Sequence, residues 1–228
     1  MSTSMRRVRD SLLLALVLAA GSTQAATIVS TFDTDDEGWR GTGDVTSTVP
    51  AYLSSGGNPG GTIEIDDQTA GGTWYYSAPA KFLGDRSLAY GQPLSFDLYQ
   101  RGSGQQFAAS DVALIGAGLI LTIDAGGNPL PLETWVHYEV ALSEAAGWVR
   151  TNNPLSLTGV AATQSDLVAV LGALDGLRIR GEFIGGTDFG RLDNVHMEAV
   201  PAPAAFPLLG SALLGLARLG MRRRRAVG

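Results

Sequence analysis

The chain has no cysteine among its 228 residues, so disulfides, thiolate chemistry and cysteine metal sites are all excluded. It has two histidines, His137 and His196, and one lysine, Lys81. Nucleophilic catalysis therefore has few bases to draw on. There is no G-x-S-x-G elbow, no H-E-x-x-H, no phosphate loop and no dinucleotide fingerprint. Carboxylates are plentiful, but a glycosidase pair needs two of them facing each other across a sugar cleft, and the sequence singles out no such pair. Positive charge is scarce in the middle of the chain. Once Arg6, Arg7, Arg9 and Asp10 near the start and Arg218 and Arg222–Arg225 near the end are set aside, eight basic residues face 21 acidic ones, a net charge near −13. Such a region repels phosphates, which excludes nucleic acid as a partner.

The two ends differ from the middle. Arg6, Arg7 and Arg9 precede an apolar run from Leu12 to Ala20, and small or polar residues follow to Ala26. That order is a secretory signal, with cleavage expected after Ala25. The run is too short for a bilayer, which takes about 20 residues. At the other end, Val200-Pro201-Ala202-Pro203 breaks regular structure, because proline fixes φ and lacks a donor. An apolar stretch runs on to Met221 and, as a helix, is about 27 Å long. Arg222-Arg223-Arg224-Arg225 follow at once; the positive-inside rule then holds the C-terminus in the cytoplasm and the main domain outside.

The segment VPAPAAFPLLGSALLGLARLGMRRRR resembles the PEP-CTERM sorting signals of Gram-negative bacteria. The resemblance implies a sorting signal carried by Val200, Pro201, Pro203, Arg222, Arg223, Arg224 and Arg225. It further implies an exosortase-type transpeptidase as partner, membrane attachment through the C-terminal helix before processing, and an association with extracellular polysaccharide. The expected organisation is a signal peptide at 1–25, one domain at 26–199 and a sorting or anchor segment at 200–228. The expected route is export to the periplasmic face of the inner membrane, then to the cell surface.

Short apolar runs between glycine-rich turns fill the domain. Leu94–Leu98, Val136–Val140 and Leu177–Phe183 alternate with period two, the mark of strands with one buried and one wet face. Further strands are expected at 27–32, 62–66, 73–78, 112–116, 119–124 and 194–200. One helix is expected at 166–174, capped by Thr163 or Ser165, with apolar residues at 167, 170, 171 and 174. Nine or more short strands and one helix predict an all-β, two-sheet antiparallel sandwich of jelly-roll type. An N-terminal signal helix and a C-terminal apolar helix would flank it.

Two stretches, Gly56-Gly57-Asn58-Pro59-Gly60-Gly61 and Gly71 to Asp85 around Trp74-Tyr75-Tyr76, resemble the laminin IV type A (laminin B) domain. Leu94–Leu98, Leu177–Glu182 and Leu192-Asp193-Asn194-Val195 continue the likeness in order, from about Phe32 to Ala199. It implies a jelly roll related to carbohydrate-binding modules and a non-catalytic extracellular role. The alternatives are a carbohydrate-active enzyme and a protein–protein adhesion module.

Two candidate sites emerge. The acidic run Asp33-Thr34-Asp35-Asp36-Glu37-Gly38 has the opening of a calcium loop, with Asp44 at the twelfth position, but no flanking helices and Arg40 at the eighth. A simple acidic turn is the leading reading of it. Between the two stands a structural calcium held by Asp33 and Asp193, of the kind that ties first and last strands in related jelly rolls. A buried Asp193 needs either that cation or strong donors, with Arg180 or Arg191 as alternatives. Sugars would stack on aromatics drawn from Trp74, Tyr75, Tyr76, Tyr99, Trp135, Tyr138 and Trp148. Tyr75 is the first choice: with Trp74 and Tyr76 in the core, period two turns it outward.

Overall fold

The computed structural model describes residues 27–67 and 71–200. The expected signal peptide and the tail beyond Val200 lie outside the described residues. In chain order the strands are β1 (Ile28–Ser30), β2 (Arg40–Gly43), β3 (Ala51–Leu53), β4 (Thr62–Asp67), β5 (Trp74–Ser77), β6 (Pro93–Gly102) and β7 (Val112–Gly116). Then come β8 (Leu119–Ile123), β9 (Trp135–Ala141), β10 (Val149–Thr151), β11 (Val160–Ala161), the helix α1 (Gln164–Gly172), β12 (Leu174–Arg180) and β13 (Asp188–Met197). They form two antiparallel sheets. One runs β3-β4-β13-β6-β9 with β1 also on β13; the other runs β11-β10-β8-β7-β12-β5-β2.

The core lies between the sheets. Period two sends Leu94, Phe96 and Leu98 of β6, and Ile63 and Ile65 of β4, against Trp74 and Tyr76 of β5 and Leu177 and Ile179 of β12. Phe96 stacks on Tyr138 at 5.4 Å, and Trp39 meets Phe32 and Phe82 edge-on at 6.3 and 5.4 Å. Each such side chain contributes about 1.5–3 kcal/mol on full burial. Gly181 exists to admit a ring, since a Cβ there would lie 1.8 Å from Trp74.

Helix α1 begins two residues earlier than the apolar spacing predicts. Thr163 and Asp166 form a reciprocal capping box, and Leu167, Val170 and Leu171 are buried. Leu174, expected to close the helix, instead opens β12. The last strand starts at Asp188, six residues before the expected 194. Its alternation is broken by a register shift between Asp193 and His196, with Asn194 at φ 49. Gly190 and Leu192 face the core before this bulge, and Val195 and Met197 after it. Asp193 is thereby thrown onto the outer face.

Candidate glycan-binding face

Along one edge of β13, β4 pairs with Asp188–Leu192 and β1 with Val195–Met197. The bulge leaves a gap between them, and the glycine loop 56–61 fills it. Asn58 N donates to Asp193 Oδ2 at 2.6 Å and Asn194 N to Asp193 Oδ1 at 2.7 Å. Asn58 Nδ2 and Asn194 Nδ2 both donate to Asp97 Oδ2, at 3.1 and 2.8 Å. A Cβ on Gly57 would lie 2.0 Å from Gly61 O, and one on Gly61 2.0 Å from Phe32 O, so only glycine packs so closely. Asp33 sits at the other side of this loop, against Gly60.

Asp193 is fully buried. Burial pushes its carboxyl up to about 6; the two amides oppose this, and the charges of Asp97 and Asp33 add to it. Main-chain amides, rather than Arg180 or Arg191, are thus the donors to Asp193. Arg180 is engaged elsewhere, 3.5 Å from Asp111, and Arg191 Nε donates to Glu64 at 2.7 Å. Among the described residues no three Asp, Glu or His side chains converge as a ready metal-ligand group. The acidic run 33–38 is a set of local turns. Asp35 and Asp36 accept from the amides of Glu37 and Gly38, and Glu37 binds Lys81 and the amides of Thr31 and Phe32.

Tyr75 is not the exposed ring that period two predicts: it is 1% exposed. Its hydroxyl donates to Ser110 O at 2.8 Å, beneath the segment that leads into β7. Trp74, Tyr76, Tyr138 and Trp148 are buried as well. Of the seven aromatics considered, Tyr99 and Trp135 alone are half-exposed. They face each other across β6 and β9 with ring centroids 5.6 Å apart. Tyr99 also stacks on Phe189 of β13 at 6.1 Å. The Arg101 guanidinium lies 3.8 Å from the Phe189 ring centre, and that of Arg191 5.1 Å from the Tyr99 ring centre. One residue pair further along the same face, Asp97 and His137 stand opposite each other, with His137 Nδ1 2.7 Å from Asp97 Oδ1. The outer face of the six-stranded sheet thus carries rings flanked by guanidinium, carboxylate and imidazole groups.

The laminin B (domain IV) family model matches residues 75–206, more than half of the chain. This chain belongs to the laminin B (domain IV) family. It is 34% identical over 179 residues to the laminin subunit gamma-1 of Homo sapiens, covering 77% of this chain and 10% of that protein. It is 31% identical over 140 residues to the basement membrane proteoglycan of Caenorhabditis elegans, covering 60% of this chain and 4% of that protein. The laminin B chain therefore spans about a tenth or less of the length of these relatives. In fold it is similar to the L4b domain of human laminin alpha-2, with a TM-score of 0.51 at 17% identity, covering 61% of this chain and 80% of that one.

The sequence named Tyr99 and Trp135 among seven candidates but gave no reason to prefer them. Nothing in the sequence brought Phe189, Arg101, Arg191, Asp97 and His137 together with this pair. Alternation within Leu94–Leu98 and Val136–Val140 did place Asp97 and His137 on wet faces. Their meeting depends on the β6–β9 register, which no local pattern encodes.

Proposed function

We propose that this chain is an exported, non-catalytic module of extracellular-matrix type that binds a neutral polysaccharide through the Tyr99–Trp135 face. The carrying observation is that Tyr99 and Trp135, alone among the seven aromatics considered, are half-exposed, with the buried Phe189 ring stacked against Tyr99 as support. Apolar ring faces suit the C–H faces of sugars, and nearby polar groups suit their hydroxyls. Arg101 and Arg191 share the face with Glu64, Asp66 and Glu139, so its charge is mixed, and the acidic domain as a whole disfavours a polyanion. Trp39, Trp74 and Trp148 are buried, which leaves Trp135 as the indole whose fluorescence a sugar would change. Titration of the purified chain with the host's extracellular polysaccharide should shift tryptophan emission, and Trp135→Ala should abolish both the shift and the binding heat. Binding undiminished in Trp135→Ala would remove this face from the proposal.

The proposal includes one structural calcium at Asp33 and Asp193, supported by the mutual repulsion of Asp33, Asp97 and Asp193 around one loop. The ion would supply charge compensation there, and main-chain oxygens of the loop would be its further ligands. It also includes sorting through Val200, Pro201, Pro203 and Arg222–Arg225 by an exosortase-type transpeptidase, supported by the order of prolines, apolar residues and arginines.

A further inference from the structure

Asp97 is buried on the outer face of the six-stranded sheet, and its two oxygens serve different purposes. Oδ2 takes the amides of Asn58 and Asn194 and so locks the glycine loop to the bulge. Oδ1 takes only His137, whose side chain is 60% exposed. A carboxylate oxygen accepts and cannot donate, so Nδ1 carries a hydrogen, and in the neutral imidazole Nε2 is then the acceptor. Among the described residues, Nε2 has no hydrogen-bond partner. Holding an exposed imidazole in one orientation costs side-chain entropy. The loop does not need it, because Asn58 and Asn194 already hold Oδ2.

Asn194 adopts φ 49, a left-handed conformation that costs a non-glycine residue free energy, and its amide nitrogen is thereby delivered to Asp97. The result is a fixed imidazole beside Trp135, its i−2 neighbour on one face of β9, and diagonal to Tyr99.

We infer that His137 is a ligand-contacting residue of this face, with Nε2 accepting a hydrogen bond from a hydroxyl of a neutral glycan stacked on Tyr99 and Trp135, and that Asp97 is its positioning residue. The inference rests on the reading of the face as a glycan site. It adds a directional contact to that site, which stacking alone does not provide. Hydroxyl-rich neutral sugars offer donors to such an acceptor, whereas a carboxylate or sulfate group offers none.

The test uses the full purified chain and calorimetric titration with cellohexaose, xylohexaose, maltohexaose and mannohexaose, with oligomeric alginate as the anionic arm. The expected result is binding of at least one neutral hexaose, loss of binding in Trp135→Ala, and at least tenfold weaker binding in His137→Ala, which loses the partner of Asp97 Oδ1 and melts somewhat lower but is fully folded at the temperature of the titration. His137→Gln, which keeps an acceptor, should recover part of the affinity. Asp97→Asn should weaken binding about three- to tenfold, and adding the hexaose to wild type should move the His137 Nε2 resonance. A His137→Ala protein that binds like wild type while Trp135→Ala does not would overturn the inference and leave the face intact as a stacking site. Binding of alginate alone would overturn the neutral class. Binding of none of these sugars would overturn the inference together with the glycan reading, and would point to a protein partner.

Discussion

Burial of acids sets the pH response at the scale of single residues. Asp67 and Asp188 are register partners on β4 and β13, and Glu182 lies just beyond β12. All three are buried. Burial, with the charges of Glu182 and Asp67, pushes Asp188 up to about 8 against a stabilising hydrogen bond from Gln100. Burial and Asp67 push Glu182 up to about 7. An acid whose folded pKa exceeds its unfolded one binds its proton more tightly when folded. Its stabilising contribution is therefore complete below about pH 4 and is lost as pH rises through 7 and 8. Glu37 acts in the opposite sense. Its burial is outweighed by Lys81 and by the Phe32 amide, so its carboxyl is held low and its contribution is lost only as pH falls below the usual carboxylate range. The melting temperature should accordingly fall between pH 6 and pH 9. Asp188→Asn, which cannot ionise, should flatten that fall by an amount of order one to a few kcal/mol, at about 1.4 kcal/mol per pKa unit. Melting curves of both proteins at pH 6 and 9 check this, and equal slopes would place the titration elsewhere.

The glycine loop and the helix cap are separable devices at the scale of elements. The loop closes the gap between β1 and β4 and depends on backbone approach that any side chain would block. Gly57→Ala, with its Cβ 2.0 Å from Gly61 O and 2.6 Å from Asp193 Oδ2, should cost about 1–3 kcal/mol and release amide protection at Asn58 and Asn194. Hydrogen exchange measured there and at β7 separates local release from global unfolding. Helix α1 depends on Thr163, which accepts from Asp166 N while Asp166 Oδ2 accepts from Thr163 N at 2.9 Å. Thr163→Ala should cost about 1 kcal/mol, seen as a fall of roughly 2–4 °C in melting temperature, with the sugar face untouched.

The charge distribution acts on the domain as a whole. A domain near −13 suits calcium and disfavours polyanions. If one calcium binds only the folded state at Asp33 and Asp193, the melting temperature of chelator-stripped protein should rise with calcium concentration. Asp193→Asn should lose that rise. Identical curves in calcium and chelator would rule the ion out. The intact mass of protein recovered from its own cells should correspond to a chain starting at Ala26 and lacking most of the segment beyond Pro203. A full-length tail in cells with an active exosortase would reduce that segment to a plain anchor.

The sequence by itself determined the class of the fold, because side-chain alternation is a local property. Leu94–Leu98 and Val136–Val140 alternate as half-buried strands do, and the 166–174 spacing behind Thr163 marked a capped helix, although Leu174 belongs to the next strand. It did not show β2, β3, β10 or β11, which are two to four residues long and too short to display a period. Nor did it show the start of β13, where Gly190 fills a core position and the bulge at Asn194 shifts the alternation by one residue. The proposed binding face was least legible of all. Alternation turned Tyr75 outward correctly, but a distant segment around Ser110 covers it, and coverage by remote chain leaves no mark on local pattern. Only the tertiary structure, by setting β13, β6 and β9 side by side in one register, brought Phe189, Tyr99 and Trp135 together and placed His137 against Asp97. Residues some 40 to 90 positions apart meet through strand pairing, and pairing is chosen by the whole core rather than by either strand alone.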